Sequence, residues 1–183
     1  MEEAKLAERA RDGDTAAYER LVRMHQAVAF RAAYLVTGDA PEAEDATQEA
    51  FVKAYRALDR FRPGAPFRPW LLAIVTNEAR NRRRSMGRRA GLDLRVAAED
   101  QTVSAPVSPE AAVVASERRE ELLFRLGELS ESDRVVISYR YFLELSEEET
   151  ATTLGCARGT VKSRLSRALA RLRKAMGKEE DAG

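Results

Sequence analysis

The chain has 183 residues with 31 Lys and Arg, 30 Asp and Glu, a single His, a single Cys and a formal net charge of +1. One cysteine excludes a disulfide framework and a cysteine-based zinc site, and one histidine argues against a His-rich metal site or a Ser-His-Asp hydrolase. The apolar run at 70–75 is far shorter than a membrane span, and the charged N-terminus lacks a secretory signal. We therefore expect a cytoplasmic protein of one or two domains, with no membrane insertion and no cofactor.

Charged residues are strongly segregated along the chain. Residues 80–89 contain six arginines and no acid, and residues 158–174 contain seven basic residues and no acid. Residues 39–49 and 144–149 contain acids and no base. The two basic stretches predict two contacts with a polyanion, and the acidic stretches predict a second, basic partner. For each stretch the alternative is a solvated helix face.

Apolar residues recur at helical spacing, and no strand alternation is visible, so the chain is predicted to be all-α. Asp14 is the expected N-cap of a helix that reaches about Val36, and Pro41 suits the first turn of the next helix. The apolar stripe predicted for the first of these helices contains Ala17, Leu21, Met24, Val28, Ala32 and Leu35.

The second helix carries two acids and an amide on neighbouring faces. Asp45, Gln48 and Glu49 follow the i, i+3, i+4 rule. Carboxylates beside an amide suit a partner helix that carries arginine. No nucleophile or metal-binding pattern lies nearby, so a catalytic role has no support.

Two prolines and a glycine within residues 63–66 predict a loop, and a helix with Trp70 on its core side is expected to begin near Phe67. Aromatic and cationic loop residues suit an unstacked base, while Asn and Arg on the helix suit base edges and phosphates. The alternative is a basic helix that contacts nothing. The candidate DNA-binding residues of this segment are Arg60, Phe61, Arg62, Asn77, Arg80, Asn81, Arg83 and Arg84.

Residues 91–108 lack aromatics and are interrupted by Gly, Ser and Pro, which predicts either a flexible linker or a short ordered excursion. Capping boxes are then expected at Ser130 and Ser146, and Gly155 should end a helix in the left-handed conformation. The helices predicted here cover residues 110–129, 130–143, 146–154 and 159–176, followed by a frayed tail.

Residues 146–169 have the spacing of a helix-turn-helix, with Ala151 at the helix crossing and Gly155 at the turn. The second helix would enter a major groove, where Arg and Lys read guanine edges and grip phosphates. The alternative is a helical hairpin with a solvated basic face. The candidate DNA-binding residues of this helix are Arg158, Thr160, Lys162, Ser163, Arg164 and Arg167.

Two isolated residues receive structural interpretations. His25 lies at helical spacing from Leu21 and is expected to be structural rather than catalytic. Cys156 in the predicted turn is interpreted as a small buried hydrophobe, with a redox switch on DNA binding as the alternative.

The chain resembles bacterial RNA polymerase sigma factors of the extracytoplasmic function group. The resemblance covers about residues 14–89 and 110–175. The stretches that carry it are Glu44 to Leu58, Phe61-Arg62, Phe67, Trp70 to Asn81, Leu145-Ser146, Leu154-Gly155 and Gly159 to Leu165.

The resemblance implies two small helical domains: sigma region 2 at residues 1–90 and sigma region 4 at 110–177, joined by a flexible linker at 91–109, with a tail at 178–183. Region 2 would bind the clamp helices of the polymerase's largest subunit through Asp45, Gln48 and Glu49, and would recognise and melt the −10 promoter element. Region 4 would read the −35 element and contact the polymerase flap. Such a protein is not an enzyme, and an anti-sigma factor commonly holds it inactive.

The chain departs from the group in three places. Ala157 stands where a capping Ser is common, and Thr150 and Thr153 replace apolar residues. Exposed melting aromatics are also few, so we expect the loop at 59–66 to capture a base. Two other classes of protein are alternatives: a free-standing helix-turn-helix regulator, which leaves the acidic surface without a role, and a nucleic-acid enzyme, for which no site is visible. Self-association of acidic and basic patches is expected to weaken DNA binding by the free protein.

Overall fold

The computed structural model describes residues 2–86, 121–122 and 124–176. In these ranges the chain is helical without strands, as the sequence predicted. The predicted linker, the start of the helix expected at 110 and the tail at 178–183 lie outside the described residues. The elements are α1 (Glu2–Arg11), α2 (Thr15–Thr37), α3 (Ala40–Arg56), a 3-10 turn (Leu58–Arg60), α4 (Phe67–Met86), α5 (Glu131–Tyr141), α6 (Glu147–Leu154) and α7 (Arg158–Met176), with further helical residues at 121–122 and 124–128.

The predicted helix boundaries in the N-terminal half are confirmed. Asp14 caps α2, because its Oδ1 accepts the Ala17 N–H at 3.0 Å. Gly38 ends α2 at φ 74°, a left-handed conformation that glycine adopts at low cost. Asp39 then caps α3 by accepting the Glu42 N–H at 3.0 Å. A break of two residues therefore separates two long helices and lets them pack side by side.

Helix α1 was not predicted from the sequence. It buries Leu6, Ala7 and Ala10 against the rest of the core. Acids lie in its first turn and arginines in its last, which favours the helix dipole. A helix this short is marginal in isolation, so packing on α2 supplies most of its stability.

His25 has the structural role expected from the sequence. Only 6% of the residue is exposed, and its ring lies beside Phe67. Its Nε2 is 2.7 Å from Glu3 Oε1, which joins α2 to α1. The neighbouring imidazole holds the pKa of Glu3 below its usual range, although partial burial opposes this shift.

The buried face of α2 differs from the predicted stripe. Met24 is 50% exposed, whereas His25, Ala29 and Ala33 face the core. Four residues of the predicted stripe are buried as expected: Ala17, Leu21, Ala32 and Leu35. Ala29 and Ala33 add small residues to this inner face, on which α3 and α4 pack.

The helices form two modules that contact one another. The N-terminal module is α1 to α4, and the C-terminal module comprises residues 121–122 and 124–176. The sequence predicted both modules and self-association of acidic and basic patches, but it did not predict that α4 packs on α6 and α2 packs on α5. The hydrogen bonds between the modules include Arg68 Nη2 to Leu143 O at 2.5 Å, Thr153 Oγ1 to Pro69 O at 3.3 Å, Arg134 Nε to Leu35 O at 3.2 Å, and Thr76 with Tyr139 at 2.6 Å.

Candidate protein and nucleic-acid interfaces

The acidic surface predicted on α3 is accessible. Asp45 and Gln48 are exposed, and the Glu49 side chain is 44% exposed. Arg82 Nη1 from α4 lies 3.0 Å from Asp45 Oδ2 and 3.3 Å from Glu42 Oε2. One arginine of the basic run therefore partly neutralises this surface and orients the Asp45 side chain. The sequence of α3 alone does not predict this contact, because Arg82 lies on α4.

A groove of about 450 Å³ lies between α2 and α3, directly beside Gln48. Its apolar lining is suited to a partner side chain, while Gln48 and Glu44 supply polar groups at its edge. Gln48 is the one lining residue that the sequence predicted as a binding residue, whereas Val22 and Phe30 were not predicted because they fall outside the predicted apolar stripe of α2. The residues that line it are Val22, Gln26, Ala27, Phe30, Glu44, Thr47, Gln48 and Phe51.

The predicted DNA-binding residues of α4 divide into two groups. Asn77, Asn81 and Arg84 are exposed and share one helix face by their i, i+4, i+7 spacing. Arg80 and Arg83 instead face α5 and contact Glu131. The exposed group can meet a nucleic acid directly, whereas the second group already holds a carboxylate.

Phe61 is not a surface residue, which corrects the prediction that this aromatic captures a base. It is 3% exposed, and its ring packs against Phe67 and Trp70 at centroid distances of 5.7 and 5.0 Å. Burial among aromatic rings is more favourable than exposure on the loop, since each ring removes a large apolar area from water. Arg60 and Arg62 remain exposed on either side of it. Trp70 belongs to the same cluster, as predicted.

The helix-turn-helix has the local geometry that its sequence predicted. Ser146 and Glu149 form a reciprocal capping box at the start of α6, with bonds of 3.1 and 2.7 Å. Gly155 turns the chain at φ 62°, and the Cys156 N–H donates to Ala151 O at 3.0 Å. At Ser130 only half of a capping box is present: Ser130 Oγ accepts the Asp133 N–H at 3.3 Å, whereas the Asp133 carboxylate binds Arg171.

Helix α7 presents a polar face of the kind predicted for a recognition helix. Four of its six candidate residues are exposed, and Thr160 and Arg164 are half-buried. Val161 and Leu172 anchor the opposite face in the core. Among its contacts, Arg158 Nε lies 3.1 Å from Glu147 Oε2, which links the two helices of the motif. The exposed candidates are Arg158, Lys162, Ser163 and Arg167.

The two threonines that depart from the apolar pattern of α6 are accommodated inside the protein. Thr150 Oγ1 donates to Ser146 O at 2.8 Å, and Thr153 Oγ1 donates to Pro69 O at 3.3 Å. Both are buried, and each hydroxyl has an acceptor, so neither leaves an unsatisfied polar group. The Thr153 bond also shows that α6 is fitted to α4.

The described ranges 2–86, 121–122 and 124–176 contain no cluster of three His, Cys, Asp or Glu side chains arranged to hold a metal. In the same ranges, no helix combines the length and hydropathy needed to cross a bilayer. Cys156 is half-buried next to the turn, where it packs against the core.

Comparisons with known proteins match both modules. Residues 21–89 match the family described as Sigma-70 region 2, and residues 119–172 match Sigma-70, region 4. The chain is 36% identical over 182 residues to the RNA polymerase sigma-H factor of Pseudomonas aeruginosa, covering 96% of this chain and 94% of the relative. It is 37% identical over 171 residues to the ECF RNA polymerase sigma-E factor of Escherichia coli K12, covering 89% and 88%.

Solved structures show the same similarity. CnrH, in complex with the cytosolic domain of CnrY, is similar with a TM-score of 0.71 and 29% identity, over 96% of this chain and 97% of CnrH. The sigma factor RpoE of Bartonella quintana, in complex with the anti-sigma factor NepR, is similar with a TM-score of 0.65 and 27% identity, over 88% and 97%.

Proposed function

The chain belongs to the RNA polymerase sigma factors of the extracytoplasmic function group, and from that premise we propose how its surfaces divide the work of promoter-directed initiation. A sigma factor binds core RNA polymerase, gives it promoter specificity and is not an enzyme. The observation that carries the assignment of surfaces is their separation: an exposed acidic surface on α3 and an exposed basic recognition helix, α7, lie in different modules.

The acidic surface is the proposed site for core polymerase. Asp45, Gln48 and Glu49 offer hydrogen-bond acceptors to arginines on the clamp helices, and the neighbouring groove accepts an apolar side chain. The C-terminal module would contact the flap. Binding to core polymerase implies that the protein acts in the cytoplasm, where the polymerase is located.

The two DNA contacts are proposed on α4 with its preceding loop and on α7. Arg60, Arg62, Asn77, Arg80, Asn81, Arg83 and Arg84 are assigned to the −10 element. Arg158, Thr160, Lys162, Ser163, Arg164 and Arg167 are assigned to the −35 element. Charge from several of these residues neutralises phosphates, so affinity should fall steeply with salt, at a log–log slope near −4 to −5 for about five contacts.

Control by an anti-sigma factor is also proposed. The sigma factor RpoE of Bartonella quintana, which shares this fold, is bound by one. The groove beside Gln48 is open in this chain and offers apolar area to such a protein as well as to polymerase.

The test of the polymerase site is the double substitution Asp45→Lys with Gln48→Lys. We expect it to abolish co-purification with core polymerase, because both changes place positive charge where arginines must dock. The matched control is Asp12→Lys with Glu8→Gln, which makes the same net change of charge at exposed positions on α1 and the turn after it. Circular dichroism verifies the fold of both. Retained binding by the Asp45 and Gln48 variant would contradict the assignment.

A further inference from the structure

The two helices of the helix-turn-helix are joined by an ion pair between their first residues. Glu147 begins α6, Arg158 begins α7, and the two residues are eleven positions apart in the sequence. Glu147 Oε2 lies 3.1 Å from Arg158 Nε. In this motif the N-terminal residues of the second helix contact the base edges. The ion pair therefore involves an arginine at the end of α7 that is expected to meet the bases.

The contact uses only one edge of the Arg158 guanidinium. Its Nε donates to Glu147, whereas Nη1 and Nη2 have no acceptor among the residues that the structure describes. The Arg158 side chain is 70% exposed, so both of these nitrogens are accessible to a ligand. An arginine reads guanine through two parallel hydrogen bonds to the O6 and N7 atoms. Glu147 thus orients the guanidinium and leaves free two donors, which is enough for such a pair.

The carboxylate that orients Arg158 is itself held in place. The capping box of Ser146 and Glu149 fixes the first turn of α6, and the left-handed Gly155 ends this helix. The Glu147 side chain is only 29% exposed, and its charge is favoured by the dipole at the start of α6. A long side chain loses rotamer entropy when it is ordered in a complex. A fixed carboxylate that restricts Arg158 before binding lowers this cost for the one orientation that it selects.

We propose that Glu147 is a positioning residue that sets base specificity at the position of the −35 element read by Arg158. By holding the guanidinium in one orientation it favours guanine, whose two acceptors match the two free donors. The same carboxylate repels the phosphates of every sequence, so specificity increases at the expense of general affinity. The inference rests on the −35 role proposed above for Arg158.

The experiment uses the full chain bound to core polymerase and a pool of duplex promoters whose −35 element is randomised. The starting promoter comes from transcription of a genomic library, and sequencing of the bound and free DNA gives the base preference at each position. Arg158→Ala identifies the position that this residue reads, where the preference for guanine should fall by about fivefold to a hundredfold. Glu147→Gln should lower the preference at that same position by about twofold to fivefold, as expected for one exposed ion pair.

The matched control is Glu148→Gln, which removes the same charge from the neighbouring, exposed position of α6. Both glutamine variants should bind nonspecific duplex slightly more tightly, because each loses a repulsion of phosphates. Only Glu147→Gln should relax the base preference. In the Arg158→Ala background it should have no such effect, because it acts through that arginine. A merely structural role would instead weaken binding to all sequences together.

The possible outcomes separate this inference from the proposed function. A guanine preference that survives Glu147→Gln but not Arg158→Ala would overturn the positioning role and leave the −35 assignment intact. An equal loss of preference in Glu148→Gln, or weaker binding of Glu147→Gln to every sequence, would overturn it in the same way. Unchanged preferences in Arg158→Ala would remove this arginine from the −35 contact and the inference with it. A parent complex without any base preference in the element would contradict the proposed function of α7 itself.

Discussion

The Thr76 hydroxyl on α4 and the Tyr139 phenol on α5 lie 2.6 Å apart, and neither residue is exposed. Thr76 Oγ1 is also 2.6 Å from Leu72 O, to which it donates its single proton. Tyr139 must therefore be the donor to Thr76. Burial raises the pKa of Tyr139 to about 12, so the phenol keeps this proton throughout the physiological range.

This direction of donation predicts an asymmetric mutant cycle. Thr76→Val leaves the buried Tyr139 hydroxyl without its acceptor, which should lower the free energy of unfolding by about 1–3 kcal/mol. Adding Tyr139→Phe removes the stranded donor, so the double variant should be more stable than Thr76→Val alone. Urea unfolding of the full chain gives the free energy of unfolding of the parent protein, of each single variant and of the double variant. A double variant that is less stable than Thr76→Val would show that the Tyr139 hydroxyl is not left without a partner in the single variant. Tyr139→Phe alone tests the direction: it should cost less than Thr76→Val, because Thr76 still donates to Leu72 O.

Substitutions in the loop before α4 should separate effects on the stability of the protein from effects on DNA melting. Phe61→Ala should lower the free energy of unfolding by about 3–5 kcal/mol, because it leaves a cavity among Phe67 and Trp70. Arg60→Ala with Arg62→Ala should change stability by no more than about 0.5 kcal/mol, since both side chains are exposed.

The arginine variant is then tested for open-complex formation with core polymerase, using permanganate footprinting on a promoter selected from a genomic library. We expect weaker melting. Intact melting in that variant would remove the loop from the −10 contact.

The start of the recognition helix lacks a side-chain cap. The Ala157 carbonyl accepts the Thr160 and Val161 N–H groups at 2.9 and 3.2 Å, but its methyl side chain can accept nothing. Ala157→Ser should raise the free energy of unfolding by about 1 kcal/mol. Ala170→Ser, the same change at an exposed position within α7, should lower the free energy of unfolding by about 0.5 kcal/mol. Equal effects of the two substitutions in urea unfolding would contradict the capping argument.

Glu3 predicts a pH dependence of stability. Its folded-state pKa lies below the usual value of 4.5, with the His25 contact as the largest cause. A lowered carboxyl pKa stabilises the fold above the unfolded value, and this contribution is lost as the pH falls through the folded value. The parent protein should therefore exceed Glu3→Gln in stability at neutral pH, with the difference disappearing below 4.5. Unfolding is followed across this range, and Glu8→Gln, exposed on the same helix, should show no such trend.

Helix ends could be predicted from the sequence because the groups that define them lie within a few residues of each other. Asp14, Ser146 and Gly155 act on backbone groups in their own turn, so their identity and spacing are sufficient. The exposure of Asp45 and Gln48 could be predicted for the same reason, since the i, i+3 spacing places them away from the apolar face of α3.

Features that depend on distant contacts could not be predicted in this way. Helix α1 is stable because Leu6 and Ala10 find a core contributed by later helices. Phe61 turns inward because Phe67 and Trp70 are already there. Glu131 contacts Arg80 and Arg83 of α4, which lie 51 and 48 positions away in the sequence. No local pattern distinguishes an arginine that is free to bind DNA from one that is paired with a distant carboxylate.

Helix α4 serves both modules at once. One side completes the N-terminal core, while the Pro69 carbonyl and the Thr76 hydroxyl receive bonds from Thr153 and Tyr139. A chimera that joins the C-terminal half of another sigma factor to this N-terminal half would have a poorly fitting interface between its modules. The fit would be kept only if the facing residues on both sides of that interface were exchanged together. Promoter preference in such hybrids would then change with how well the halves fit, and not only with which helix reads the DNA.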